Sequence, residues 1–281
     1  MGDENKGAPK ENHVYAVSFP VTKFVLIQIV TFCGPLLPVL AELGFCVWLV
    51  QTIPSIPFIL WAWMGPAGMW IFLFPLFAIG MAYTYIAACV LLTTTWIHRW
   101  NRQCPPEEGY FSRKFTEKGV ADRRIDYYHA RGFAIKWAMW VTSKSPFPWL
   151  VNWCLQRNDN EFGKNVVFDN AFLPLELCEL GDNVYFGPGS AASAHTVNAI
   201  FGDLFIGKVK IESNVIVGAN AIIGPGSRVL QNTVLFPNGI VPARWKDKWG
   251  TKFYAGTPVG PVPSYSGTFI HPKDPVIKKE K

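Results

Sequence analysis

The C-terminal half of the chain carries an aliphatic or aromatic residue at nearly every sixth position. A period of six matches neither the 3.6-residue period of an α-helix nor the two-residue period of a strand. It is typical of a parallel β-helix, whose coils bury their apolar residues only by stacking on one another. The stacked positions are Phe162, Phe168, Pro174, Leu180, Phe186 and Ala192, followed by Ile211, Val217, Ile223, Val229, Leu235 and Val241.

Glycine often follows the stacked residue, and we expect these glycines to form the corners of the coils. A corner with positive φ is easiest for a residue without a Cβ. The glycines in question are Gly163, Gly181, Gly187, Gly218 and Gly224. The repeat then loses its phase between Ala192 and Ile211, which are nineteen positions apart where eighteen would keep the register. The sequence therefore predicts a protrusion over residues 193–206, which contains His195.

The N-terminal half is apolar over a length that no soluble core element needs. Between Phe24 and Ile97 the only formally charged residue is Glu42, and a bilayer-spanning helix requires about twenty apolar residues. Two spans are predicted, at about Phe24–Val50 and Ala67–Ile97, with a third possible if the first region is interrupted. The residues that would separate the two spans are Pro54, Pro57, Gly65 and Pro66, and those that would create a third are Gly34, Pro35 and Pro38.

Lysine and arginine flank the apolar region on both sides, whereas the predicted connection Gln51–Met64 has no charge. Because positive residues favour the cytoplasmic side, both termini are expected there. The basic residues are Lys6, Lys10 and Lys23 before the spans, and Arg99, Arg102, Arg113, Lys114, Lys118, Arg123 and Arg124 after them. Glu42 inside the first span either faces another helix or is a functional group.

Residues 98–157 combine basic and aromatic side chains, which predicts a neck at the membrane surface. Tryptophan and tyrosine favour the headgroup level, and cations suit anionic lipid. The cations assigned to lipid are Arg123, Arg124, Arg131 and Lys136. A soluble helical neck packed on the base of the β-helix is the alternative, and both descriptions can hold. No nucleic-acid recognition motif is present, so no nucleic-acid partner is expected.

The chain is expected to divide into a cytoplasmic tail at 1–23, the helical hairpin at 24–97, the neck at 98–157, the β-helix at 158–263 and a tail at 264–281. Residues 1–12 and 272–281 are polar and charged, which predicts disorder. The net charge of +6 favours anionic lipid, phosphate-bearing donors or an acidic carrier protein. The six cysteines lack paired spacing and indicate a reducing compartment. One histidine in the repeats is too few for a metal site of three imidazoles, so no metal is expected.

Three hexads and a closing segment resemble the hexapeptide-repeat acyltransferases. The hexads are Ile211-Glu-Ser-Asn-Val-Ile, Val217-Gly-Ala-Asn-Ala-Ile and Ile223-Gly-Pro-Gly-Ser-Arg, and the closing segment is Tyr254-Ala-Gly-Thr-Pro-Val. The resemblance implies a left-handed parallel β-helix, a homotrimer, and an acyl-CoA or phosphopantetheine thioester as donor. His195 matches the position of the family's catalytic base, on a coil beside an irregularity and facing the cleft between subunits.

Further candidate residues for the donor follow from this resemblance. Gly218, Gly224 and Asn220 would line the pantetheine groove, and Arg228, Lys246 or Lys248 would meet phosphates. The sequence departs from the family where Glu212, Leu230 and Phe236 replace the corner glycine and where Pro174 occupies a stacked position. It departs again at Val259-Gly260, where a basic residue often follows the terminal proline.

The whole layout resembles one of three tandem copies in the membrane region of poly-lysine-type peptide synthetases, and the stretch Tyr127-Tyr-His-Ala-Arg-Gly-Phe is similar to an element of that group. This implies that three chains rebuild a six-span assembly and that an acyl or aminoacyl carrier protein is a possible donor. The sequence thus predicts a membrane-bound acyltransferase with a hydroxyl or amine acceptor. The alternative is a non-catalytic trimeric membrane scaffold that uses the β-helix for assembly.

Overall fold

The computed structural model describes residues 21–52, 55–112, 115–116, 119–120, 122–174, 176–198, 203–246 and 253–261. Both tails predicted to be disordered lie outside these residues, as does Lys248. The helices are α1 (Val21–Cys33), α2 (Leu36–Thr52), α3 (Ser55–Gln103), α4 (Arg123–Ser143) and α5 (Trp149–Arg157).

Two helical segments are long and apolar enough to cross a bilayer. They are Val21–Trp48 and Leu73–Gln103, with mean hydropathies of 2.2 and 1.9, and only 22% and 17% of their apolar windows are covered by protein. A helix in the core of a soluble protein would be mostly covered. The chain does turn at Gly34, but the 13-residue α1 is too short to form a separate span.

Three of the residues predicted to separate the two spans lie inside a helix. Helix α3 begins at Ser55 and continues through Pro57, Gly65 and Pro66, so these three residues do not break it. Pro57 lies in the first turn of the helix, where a missing N–H loses no intrahelical hydrogen bond. Proline inside an apolar helix is also tolerated more readily than in water-exposed helices.

Helices α4 and α5 join the apolar helices to the β-helix. Asp122 caps α4 by accepting a hydrogen bond from the Arg124 N–H at 2.8 Å. The Lys23 Nζ contacts Asp126 Oδ2 at 2.6 Å, and the ring of Phe24 stacks on Phe133 with centroids 4.3 Å apart. Helix α5 closes the base of the β-helix through the fully buried Leu155, which belongs to the same hydrophobic core as the stacked residues.

The predicted β-helix is confirmed by three parallel sheets. The strands are β4 (Glu161–Phe162), β5 (Val167–Phe168), β6 (Cys178–Leu180), β7 (Tyr185–Phe186), β8 (Ala191–Ala192), β11 (Val209–Ile211), β12 (Ile216–Val217), β13 (Ile222–Ile223), β14 (Arg228–Val229), β15 (Val234–Leu235), β16 (Ile240–Val241), β17 (Phe253–Ala255) and β18 (Gly260–Pro261). The first sheet has the order β14-β11-β6-β4, the second β18-β17-β15-β12-β7-β5, and the third β16-β13-β8. Strand β18 pairs antiparallel with β17.

The corner glycines have a different reason from the one predicted. The positive-φ corners are occupied mainly by asparagine, including Asn183, Asn214 and Asn232, whose amides bond to one another in a column. Gly218 and Gly224 are not among the residues with positive φ. A Cβ at Gly218 would lie 2.6 Å from the backbone nitrogen of Pro237. These glycines are therefore required by the close approach of the next coil.

Two stacked positions differ from the predicted repeat. In the first coil the inward residue of the third sheet is Leu173 rather than Pro174, because Phe172 pairs with Ala191 and so places Leu173 beside Ala192. The other difference is the interval before Ile211. The step along the first sheet is eighteen residues from Phe162 to Leu180, but thirty-one from Leu180 to Ile211.

The thirteen additional residues form the predicted protrusion. They build a hairpin of β9 (His195–Asn198) and β10 (Asp203–Ile206), with His195 opposite Ile206. Strand β1 (Gly109–Ser112) from the neck pairs with β10 to complete a three-stranded sheet. A further small hairpin joins β2 (Phe115–Thr116) to β3 (Gly119–Val120). The insertion is two complete hexads plus one residue. Because complete hexads leave the phase unchanged, the sequence showed a slip of only one residue.

Candidate functional site

His195 is the first residue of the inserted hairpin, where the chain leaves the β-helix. Its N–H donates to Ser193 Oγ at 3.3 Å, and the Ser193 hydroxyl donates to the His195 carbonyl at 2.8 Å. The hairpin is fixed at its other edge by β1 and by a small core of Phe111, Ile125, Leu204 and Ile206. The backbone of His195 is thus held between the last stacked residue of one coil and strand β10, which the neck strand β1 supports on its other side.

The side chain of His195 meets a tyrosine that comes from α4. The Tyr128 hydroxyl and His195 Nδ1 are 2.5 Å apart, and the two rings meet edge to face with centroids 5.5 Å apart. Burial raises the pKa of Tyr128 well above its usual range, with a smaller contribution from the Glu176 carboxylate. The phenol therefore stays protonated, and its contact orients the imidazole through Nδ1.

His195 and Tyr128 line a cavity of about 400 Å³ between α4 and the base of the β-helix. Most of its surface is apolar, from residues that include Ile97 of α3, Phe133 and Ile135 of α4, Phe172 and Pro174 of the first coil, and Val197 and Leu204 of the hairpin. Gly132 also lines it, and a Cβ there would meet no atom within 4 Å. The cavity therefore has room for a ligand beside the imidazole.

A buried ion pair lies in the wall of this cavity. The Arg131 Nε donates to Glu176 Oε2 at 2.6 Å, and Nη1 donates to the Cys104 carbonyl at 3.0 Å. Arg131 is 3% exposed and Glu176 is 9% exposed. Burial raises the pKa of Glu176, and the neighbouring guanidinium opposes that shift. The sequence assigned Arg131 to anionic lipid, which is wrong, because the guanidinium is inside the protein and paired.

Tyr128, Arg131 and Glu176 were not predicted to belong to the site. Tyr128 and Arg131 lie in the stretch Tyr127–Phe133 that was noted for its resemblance to the poly-amino-acid synthetases, so a signal was present without a function attached. Tyr128 and Arg131 are three positions apart, and residues with this spacing lie on one face of a helix. Helical periodicity therefore predicts that their side chains lie on the same side of α4. Glu176 is distant in sequence, and only the tertiary fold brings it to Arg131.

The predicted groove residues do not join His195 within one chain. The Gly218 and Gly224 N–H groups donate to the carbonyls of Leu235 and Val241, each at 2.8 Å, so these two amides are used in stacking. Asn220 occupies a positive-φ corner, and its side chain lies beside Gly189. None of these three residues lines the cavity at His195.

Arg228 and Lys246 line a separate groove of about 900 Å³ on the first sheet. Arg228 donates to Glu212 Oε1 through Nε at 2.9 Å and through Nη2 at 2.7 Å. Lys208 and Lys210 both contact Glu179 in the same groove. Partial burial raises the pKa of Glu179, but the contacts with the two lysines together outweigh it, so the pKa of Glu179 is lowered. The groove thus contains cations that are largely paired with carboxylates. Lys248 lies outside the described residues.

Glu42 faces α3 near Gly80, where a Cβ would lie 3.1 Å from its Oε1. Among the described residues, Glu42 Oε2 has no hydrogen-bond partner. The part of the chain that the structure describes contains no group of three His, Cys, Asp or Glu residues that could hold a metal ion.

The sequence matches no protein-family profile, and no curated protein aligns with it. Solved structures with a similar fold include a maltose O-acetyltransferase from Clostridium difficile 630, at 19% identity and a TM-score of 0.33, covering 45% of this chain and 81% of that one. A hexapeptide-repeat acetyltransferase from Vibrio cholerae is 17% identical with a TM-score of 0.36, covering 51% and 93%. AntD, an N-acyltransferase from Bacillus cereus solved with dTDP and 3-hydroxybutyryl-CoA, is 16% identical with a TM-score of 0.28, covering 37% and 71%.

Proposed function

We propose that this protein is a membrane-bound acyltransferase in which His195 is the general base. The observation that carries this proposal is the contact of Tyr128 with His195 Nδ1 inside a cavity of about 400 Å³. The cavity lies where the hexapeptide repeat is interrupted, and the hexapeptide motifs resemble those of acyltransferases. A histidine oriented by a fixed partner beside room for a substrate has the arrangement expected of a general base.

In the proposed reaction the Nδ1–H of His195 donates to the Tyr128 oxygen, so that Nε2 takes the proton of the acceptor. The acceptor oxygen or nitrogen bonds to the thioester carbonyl carbon, the carbon–sulfur bond breaks, and the thiolate leaves with the proton held by the imidazolium. Proton transfer of this kind is effective because imidazole can change its charge near neutral pH.

The donor proposed is acyl-CoA or an acyl or aminoacyl carrier protein, since both present a phosphopantetheine thioester. The hexapeptide resemblance further supports a left-handed β-helix and a homotrimer in which the donor binds between subunits. Arg228 and Lys246 remain candidates for its phosphates, and their groove lies away from the His195 cavity of the same chain. Native mass spectrometry in mild detergent is expected to show a trimer.

The apolar segments Val21–Trp48 and Leu73–Gln103 are proposed to span the membrane, with both termini and the β-helix in the cytoplasm. The support is the lysine and arginine on both flanks and the cytoplasmic supply of thioester donors. Glu42 is proposed to face another helix of its own chain, α3, rather than to act as a functional group.

The test uses the full chain in nanodiscs with acetyl-CoA labelled in the acetyl group. Release of free CoA and transfer of label are measured for the natural protein and for His195→Asn. We expect the variant to keep its trimer and its donor affinity and to lose about a hundredfold to ten-thousandfold in transfer rate, the usual contribution of a general base. A variant that transfers label at the natural rate would remove the assignment of His195, whereas a natural protein that transfers no label and releases no CoA would favour a non-catalytic scaffold.

A further inference from the structure

We infer that the His195 cavity takes its acceptor from the bilayer, and that the acceptor is a membrane lipid with a phosphate-bearing headgroup that ends in a hydroxyl or an amine. This inference rests on the proposed function for the transfer step, but not for the binding of lipid. The cavity is lined by Ile97, near the end of the second apolar segment, and by exposed apolar side chains of the β-helix and the hairpin.

The first support is the level of the cavity relative to the apolar helices. A helix of 31 residues, such as Leu73–Gln103, is about 46 Å long, whereas the hydrocarbon core of a bilayer is about 30 Å thick. The segment is thus longer than the hydrocarbon core, and its C-terminal end is the one that suits the headgroup layer, because His98, Arg99 and Arg102 follow Ile97. Ile97 lines the cavity. The cavity thus opens at the level where lipid headgroups lie.

The second support is that the other apolar segment packs against α4, which forms one wall of the same cavity. Phe133 lines the cavity and stacks on Phe24, which is buried near the beginning of the segment Val21–Trp48. Lys23 beside it pairs with Asp126 of α4. Both apolar segments therefore meet α4 at their charged ends, and α4 forms one wall of the cavity. A lipid could keep its chains beside these segments while its headgroup enters.

The third support is the chemistry of the lining. Phe172 is 61% exposed and Val197 is 41% exposed at the β-helix side of the cavity, which is unfavourable in water but suits contact with acyl chains. Lys136, which is exposed, also lines the cavity and lies 4.3 Å from the centre of the Phe133 ring. Its ammonium group is placed to meet a phosphate, because anionic headgroups attract cations at the membrane surface.

A water-soluble acceptor would not need this lining. A sugar or an amino acid requires several polar partners to replace its hydrogen bonds with water, whereas the charged pair Arg131–Glu176 in the wall is already engaged with itself and with the Cys104 carbonyl. Most of the cavity surface is apolar, which suits a lipid that brings a single terminal hydroxyl or amine to the imidazole. The other polar side chains of the lining are Tyr128, His129, Lys136, Asn158, Ser193 and His195.

The binding of lipid can be tested without any thioester. The full chain carrying Phe172→benzoylphenylalanine or Val197→benzoylphenylalanine is placed in vesicles of phosphatidylethanolamine and phosphatidylglycerol, irradiated, and examined by mass spectrometry. We expect phospholipid adducts at both positions. Leu76, an exposed residue of the apolar segment, serves as the positive control position, and Ile222, an exposed residue of a middle coil, as the negative one.

Filling the cavity is the second arm. Gly132→Leu adds a side chain where the structure leaves open space, and leucine also favours the helix. We expect at least a tenfold loss of lipid adduct at Phe172 with the trimer intact. Gly44→Leu is the matched control, because a Cβ at that exposed helical glycine likewise meets no atom within 4 Å and it lies outside the cavity.

The outcomes separate this inference from the proposed function. Phospholipid adducts that Gly132→Leu removes support the inference, even if no thioester is ever consumed. Adducts at Leu76 without adducts at Phe172 or Val197 overturn it, even if acyl transfer to a soluble amine is found. In a separate irradiation with acyl-CoA added, adducts of its acyl chain in place of phospholipid would show that the cavity holds the donor, and this too overturns the inference.

Discussion

The repeated coils of the β-helix and the junction between its base and α4 differ in how they use polar groups. In the coils, backbone N–H groups such as those of Gly218 and Gly224 are committed to the next coil, and the side chains that point inward are apolar or small. At the junction the repeat has ended, and side chains of Tyr128, Arg131 and His195 meet instead. Regular stacking uses the backbone hydrogen-bonding groups of the coils. The polar side chains of the candidate site therefore lie where the stacking is interrupted.

The two regions also differ in the interactions that stabilise them. The coils gain stability from many similar contacts along each sheet, each of which depends on its neighbours. The junction depends on a few specific polar contacts in a low-dielectric setting, where a single unpaired group is costly. Loss of one partner of the buried ion pair at the junction should therefore destabilise the protein more than a single substitution in the coils.

The largest effect on stability is expected at the buried ion pair of the junction. Glu176→Leu leaves the Arg131 guanidinium buried without its carboxylate, and this should lower the free energy of unfolding by about 3–5 kcal/mol. The double variant Arg131→Met with Glu176→Leu removes both charges and should recover most of that loss. Thermal unfolding in detergent measures both. Equal losses in the single and double variants would show that the pair is not a buried unit.

A smaller effect is expected inside the coils. Gly218→Ala places a Cβ 2.6 Å from the Pro237 nitrogen and 2.7 Å from the Leu235 carbonyl oxygen, so the next coil must shift at a cost of about 1–3 kcal/mol. Gly260→Ala, where a Cβ meets no atom within 4 Å, is the matched control and should be close to neutral. Asn220→Gly should also be tolerated, since glycine accepts positive φ. A neutral Gly218→Ala would contradict the close approach of the coils.

The smallest of these effects concerns the orientation of His195. Tyr128→Phe removes the hydroxyl that contacts Nδ1 and should slow transfer by about tenfold, the value of roughly one hydrogen bond, without changing the KM for the donor. Tyr127→Phe is the matched control, because its hydroxyl donates to Gln103 Oε1 at 2.7 Å and does not contact His195. The unfolding temperatures of both variants should agree. Equal turnover in the two would show that Tyr128 does not position the base.

The sequence alone determined the β-helix, the apolar N-terminal half and the protrusion at His195. These features follow from local patterns: a period of six fixes which residues point inward, and a long uncharged run can be accommodated only in an apolar environment. The same patterns misassigned two details. Pro174 was placed inward instead of Leu173, and the corner glycines were explained by φ, because a repeat reveals spacing but not the distance between coils.

Only the tertiary structure decided what surrounds His195. The contacts Tyr128–His195 and Arg131–Glu176 join residues 67 and 45 positions apart, and no period in the sequence relates a helix of the neck to the first coils of the β-helix. Arg131 was assigned to lipid because composition gives the average preference of a side chain, whereas its burial depends on which elements are packed around it. The packing between elements determines which partner a polar group has. For that reason the contacts of the site could not be predicted from the sequence alone.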